Sequence, residues 1–175
     1  MTVEPGPDGG RQIVLRTSRT VLTTWLKGDA NALFQLHCDA DTMRFVRNGH
    51  PESRHEVEEL VRNYIFQQAN FPWAKWRLAD QDGHLIGRAG FGGTNDDREI
   101  SYLIARSHWG QGLATEVSSG LVEWHLSSAP HARLRALVAL GNDASARVLD
   151  KVGFQKYATE DYQGSMCWKY VYPTT

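Results

Sequence analysis

Apolar and polar positions recur along the chain regularly enough to divide it into elements. Residues 20–26 are rich in β-branched and aromatic side chains and predict a strand; residues 29–37 predict a short helix with Leu33, Phe34 and Leu36 as its apolar positions. Ser53 and Glu56 have the spacing of a capping box, after which Val57, Leu60, Val61, Tyr64 and Ile65 recur at helical spacing. A three-strand antiparallel meander follows over 73–79, 85–92 and 98–105, with turns at Asp82-Gly83 and at 95–97. Beyond it Leu113, Val117, Leu121 and Trp124 mark one face of a helix, and Leu134, Ala136, Val138 and Leu140 alternate along a strand. Residues 142–152 read as a helix, and 154–159 and 166–172 as closing strands. A strand-helix-strand unit attached to a meander calls for one parallel crossover. The order therefore predicts an α+β (mixed α/β) fold, a central mixed sheet of about seven strands with about four helices.

Length fits this reading, since 175 residues make one domain of ordinary size. No linker, repeat or low-complexity tract divides residues 11–175, while residues 1–10, with two prolines and three glycines, predict a disordered tail without signal-peptide or anchor character. Nineteen Lys and Arg against twenty Asp and Glu leave a formal charge of -1, so there is no overall basic field to attract nucleic acid or a membrane surface. Cys38 and Cys167 stand apart and outside any zinc spacing, as expected of free thiols in a cytoplasmic protein. His50 and His55 lack a third ligand nearby, and no metal is expected. A homodimer stays open.

Chemistry enters with two segments. In Trp109-Gly110-Gln111-Gly112-Leu113-Ala114-Thr115 the glycines allow a tight turn, and the free N–H groups opening the next helix favour an anion such as phosphate. A dinucleotide fingerprint would need glycine at Thr115 and an acid near Arg135, and a Walker loop over 87–94 fails because Gly93 stands where lysine belongs. In the second segment Asn142 caps a helix that Gly153 ends, and Ser145, Val148, Leu149 and Val152 share its inward face. A hydroxyl on that face needs a partner or a ligand.

Together these segments resemble the GNAT N-acetyltransferase superfamily, whose motif reads Q/R-x-x-G-x-G/A. Trp109 departs from the usual first position, but the run from Trp109 to Glu116, with Asn142-x-x-Ser145, Lys151, Gly153 and Phe154, is similar to the branch of ribosomal-protein N-terminal acetyltransferases. The resemblance implies an acyltransferase using acetyl-coenzyme A. Its pantetheine would lie along Leu103, Ile104 and Ala105, its pyrophosphate on Trp109 to Thr115, and Asn142 and Ser145 would reach the arm. Oriented N–H dipoles hold such an anion without net positive charge.

Transfer to an amine needs a neutral nucleophile and a proton for the departing thiolate. Glu99, in an E-I-x-Y run similar to that branch, is the leading base, acting through water; Glu160 or bulk water are alternatives, and an ion pair of Glu99 with Arg98 or Arg106 is the structural reading. The tyrosine that many members use as the acid aligns with Leu149, so Ser145 is the substitute that the branch suggests, with Tyr102 and Tyr157 as further donors. The acceptor, a peptide N-terminus or a small amine, should be chosen by residues 46–55, 71–76 and 160–165. A protein that binds acetyl-coenzyme A without turnover is the alternative.

Overall fold

The capping box closes as its spacing predicts: in the computed structural model, which describes Glu4–Pro5 and residues 10–173, Ser53 Oγ accepts from Glu56 N, and Glu56 Oε2 accepts from Ser53 N at 2.7 Å. The helix it opens, α3 (Arg54–Asn70), buries Val57, Leu60, Val61 and Tyr64. Two shorter helices precede it, α1 (Ala30–His37) and α2 (Ala40–Met43), the latter capped by Asp39. The expected tail over 1–10 falls, apart from Gly10 and a short pairing of β1 (Glu4–Pro5), outside the described residues.

The sheet runs β1-β2-β3-β4-β5-β6-β7-β9-β8. Its strands are β2 (Gln12–Arg16), β3 (Thr20–Thr23), β4 (Lys75–Asp80), β5 (Leu85–Gly93), β6 (Asp97–Ile104), β7 (Arg133–Ala139), β8 (Gln155–Tyr162) and β9 (Ser165–Val171). Strand β2 goes beyond the pattern-based elements, and β3 stops short of residue 26. Trp25 leaves the sheet there to stack on Tyr64 at 5.4 Å, its Nε1 donating to Lys75 O at 2.8 Å, so burial of one indole overrides strand propensity. The meander β4-β5-β6 is antiparallel, and β6-α4-β7 supplies the one parallel pair among the described strands, through α4 (Leu113–Ser128).

Helices cover both faces. Against α4, Trp76, Phe91 and Trp124 pack with centroids 5.2 to 6.0 Å apart, each ring pair contributing about 0.5–1.5 kcal/mol beyond its area. A smaller cluster of Trp25, Leu33, Val57, Leu60, Val61 and Tyr64 lies beneath α1 and α3. The last helix, α5 (Asp143–Val152), is capped by Asn142 and leaves through Gly153 at φ 102°.

Candidate active site

Three register pairs, Asp97 with Arg133, Arg98 with Leu134 and Glu99 with Arg135, join β6 to β7, after which β7 runs on paired with β9 at its other edge while its β6 edge is open. The separation opens a cleft of about 1280 Å³ that runs from the glycine loop, between β6 and α5, to the face beneath α3. Arg133 N bonds Asp96 O toward β7, and Ala105 N bonds Ile86 O toward β5. By the alternation of a strand, the backbone groups of Ile100, Tyr102 and Ile104 face the gap, while those of Leu103 and Ala105 face β5. Of the three residues expected along the pantetheine, Ile104 is therefore the one whose backbone faces it. Its carbonyl is held by Trp109 Nε1 at 2.8 Å. Trp109 is half exposed, so it is neither buried in the core nor loose over the loop; it pins the loop to the strand end.

Gly110 and Gly112 sit at φ 74° and 77°, the left-handed region that L side chains avoid. Gly112 caps α4 without a side chain, so the N–H groups of Leu113, Ala114 and Thr115 open into the cleft while Glu116 N bonds Gly112 O. These donors with the helix dipole fit a pyrophosphate. Gln111 spends its amide on Ser107 O at 3.3 Å, and its carbonyl accepts from Arg19 at 2.8 Å. Arg19, in the β2–β3 turn, also grips Glu116 through its N and Nε at 2.8 and 2.7 Å. Burial would raise the Glu116 carboxyl, but hydrogen bonds from Thr17, Arg19 and Ser18 bring it down to about 2, so the clamp stays charged at any ordinary pH.

On the opposite wall Asn142 Oδ1 accepts from Ser145 N at 3.2 Å, so its capping role is formed, and Asn142 lines the cleft. Ser145 Oγ lies 2.7 Å from Tyr102 Oη, joining two of the expected donors into one pair. Burial pushes the Tyr102 hydroxyl up to about 12, which keeps it protonated and able to donate. Leu149, one turn beyond Ser145, is fully buried in the core. Tyr157 is exposed beside Arg133 and does not line the cleft.

Glu99 lines the cleft and pairs with Arg135 Nη1 at 3.0 Å, not with Arg98 or Arg106. Arg98 lies over Phe91 and Trp124, and Arg106 bonds Asp41. Glu160 is outside the lining, bonded to Lys169 across β8 and β9, which lowers its carboxyl. Each of the three segments expected to shape the acceptor side contributes: Val46 to Gly49, Lys75, and Tyr162, Gln163 and Ser165 line the cleft, while His50, His55 and Trp73 do not. Asp80, Asp82 and His84 cluster in the β4–β5 turn, away from the cleft, where Asp80 Oδ1 accepts from two turn N–H groups.

Several charged groups in and beneath the cleft are not singled out by the sequence, although Lys75, Arg47 and Glu52 lie within the segments 71–76 and 46–55 expected to shape the acceptor side. Lys75 and Arg88 project from β4 and β5 on the face that carries Ser101 and Glu99. Burial, with the charge of Arg88, lowers the Lys75 ammonium to about 8. Beneath them His37 Nδ1 lies 2.8 Å from Glu52, whose other oxygen takes Arg47 at 2.7 Å. Burial above all, then Arg88, lowers His37 to about 4 against the opposing bond to Glu52. His37 Nε2 is buried without a hydrogen-bond partner, which fits a neutral ring donating through Nδ1. The signal that could have found Lys75 and Arg88 is a charge inside an otherwise apolar strand, since a buried polar residue is the informative one.

Comparison with known proteins bears on what this cleft does. The family model described as an acetyltransferase (GNAT) domain matches residues 19–155. The chain is 30% identical over 147 residues to the uncharacterized N-acetyltransferase YoaA of Bacillus subtilis, covering 82% of this chain and 83% of that one. Among solved structures, the ribosomal L7/L12 alpha-N-protein acetyltransferase RimL in its apo form superimposes with TM-score 0.81 at 17% identity, over 97% of this chain and 98% of that one. Its complex with coenzyme A gives 0.79 at 18% identity, over 91% and 96%.

Proposed function

The chain belongs to the GNAT acetyltransferase family, and from that premise we propose that it carries the acetyl group of acetyl-coenzyme A to a primary amine, a peptide N-terminus or a small amine, by direct attack in a ternary complex. The carrying observation is the continuity of the cleft, which joins an uncapped helix N-terminus at one end to the Glu99 carboxylate at the other. The RimL relative of known structure binds coenzyme A, and the glycine loop with the N–H groups of Leu113 to Thr115 fits the same diphosphate.

The roles follow from placement. The loop and α4 hold the phosphates, and Ile104 and Asn142 guide the arm. Glu99, with Oε1 unengaged among the described residues, takes the amine proton through a water molecule, while Arg135 fixes the carboxylate from behind. A lysine amine, near pKa 10.4, needs that help more than an α-amine near 7.7 to 8.0. The Tyr102–Ser145 pair donates toward the sulfur as it departs. With a hydroxyl near 12, it acts chiefly by hydrogen bonding, and proximity supplies much of the remainder.

Thermal shift and thiol release test this reading together. Acetyl-coenzyme A should raise the melting temperature where nicotinamide nucleotides do not, and an amine panel should elicit amine-dependent release of coenzyme A. Stabilisation with no release across peptide N-termini, amino acids and polyamines would favour the sensing alternative.

A further inference from the structure

Two cations in the acceptor half of the cleft, Arg88 and Lys75, form no ion pair among the described residues. Arg88 is 6% exposed, its Nε is buried without a hydrogen-bond partner, and its one bond is a long 3.4 Å contact from Nη1 to Ser101 Oγ. Lys75, beside it, makes no ion pair or hydrogen bond through Nζ among the described residues. Of the nearby carboxylates, Glu52 is held by His37 and Arg47, and Glu99 is held by Arg135 through one oxygen, its charge reaching Lys75 without an ion pair. Burying a charge without a partner is strongly unfavourable, so a protein that keeps Arg88 buried in this way, with the half-buried Lys75 beside it, is poised for an incoming anion. The cofactor does not supply it, because its phosphates belong at the loop and the arm that reaches this end is uncharged.

The floor between these groups carries no side chain at Gly90 or Gly92, and the end of Lys75 lies over Gly92. Lys75, Gly90 and Ser101 stand opposite one another across three strands, and Gly92 stands opposite Glu99. A Cβ at Gly92 would meet only the end of the Lys75 side chain, at 3.7 and 3.9 Å. Glu99 and Ser101 share a face two residues apart, about 7 Å along the strand. An acid that would hold an amine and a cation pair that would hold an anion therefore face the same small space.

We infer that the acceptor carries a carboxylate together with its amine, and seats that carboxylate on Arg88 and Lys75 while the amine turns to Glu99. A guanidinium edge matches a carboxylate in a two-bond fork, and a lone ammonium adds a point charge. The inference rests on the amine-acetylation reading. The carboxylate comes either from a free amino acid or from the side chain of an acidic N-terminal residue.

Matched acceptors separate these sources: alanine against alaninamide, and Asp-Ala-amide against Asn-Ala-amide. Each is scored by thiol release at saturating acetyl-coenzyme A and corrected for the fraction of neutral amine. In at least one pair the acid should exceed the amide by about ten-fold or more in kcat/KM, carried by KM. That gap should close in Arg88→Gln and persist in part in Arg88→Lys, with both variants checked for an unchanged melting curve. Equal rates for acid and amide in both pairs overturn the inference and leave amine acetylation standing. So does an Arg88→Gln loss confined to kcat and equal for acid and amide, which would make Arg88 an oxyanion group, or a still stronger preference for phosphoserine amide. If no amine releases thiol, the acetylation reading fails; calorimetry of N-acetylaspartate against the coenzyme A-loaded protein still reads the seat. Binding lost in Arg88→Gln supports it, and no binding overturns it.

Discussion

The two ends of the cleft are built on different principles. The loop end is made largely of backbone: two glycines in the left-handed region and three helix N–H groups, with Arg19 fastening the loop to Glu116, form an arrangement of oriented donors suited to an anion. The face beneath α3 is made of side chains: Lys75 and Arg88 line the cleft from β4 and β5, and the buried His37–Glu52 pair, from α1 and the segment before α3, lies outside the lining with the charge of Arg88 acting on it. A site built of backbone donors depends little on the side chains around it. The other end is specific to its side chains and carries buried charge, so it should be the part that fixes the acceptor and the part that acid disturbs.

The largest separation of the two ends should come from Glu99→Gln. Turnover should fall by about 10²- to 10⁴-fold, most at low pH where the amine is protonated, with acetyl-coenzyme A affinity unchanged in calorimetry. A wild-type pH profile in that variant would pass the proton to water or to Lys75.

Stability should divide along the same line. Folded His37 titrates near 4, and the unfolded ring near 6.5, so in acid the unfolded chain takes up the proton first. Stability should therefore be full above about 6.5 and decline as the pH falls from there to about 4, by up to about 3 kcal/mol. Chemical denaturation as a function of pH reads the slope, and His37→Gln should flatten it. An unchanged slope would move the acid sensitivity away from this pair.

The smallest effect sharpens the loop end. Gly110 has open space where a Cβ would point, and Asn and Asp both tolerate its left-handed conformation. Gly110→Asp should bind acetyl-coenzyme A about ten-fold more weakly than Gly110→Asn, the difference reporting charge against phosphate, about 1.5 kcal/mol. Equal affinities would remove the diphosphate from the loop.

Much of this was legible from the chain alone, and the reason is locality. Helix α3, the meander, α4 and α5 follow from periodicity and caps that act within a few residues, and the glycine loop lies within a short stretch of chain because a backbone site needs only its own turn. Tertiary structure decided the rest. It turned Trp25 out of the sheet to cover Tyr64, gave Glu99 to Arg135 where sequence neighbours were the obvious partners, and set Tyr102 against Ser145 across 43 positions. It also fastened the loop through Arg19, 97 positions before Glu116, and left the buried Arg88, beside Lys75, with no ion pair among the described residues. Strand register and helix docking place such groups, and both are set by burial summed over the whole sheet, a quantity that no single stretch of sequence contains.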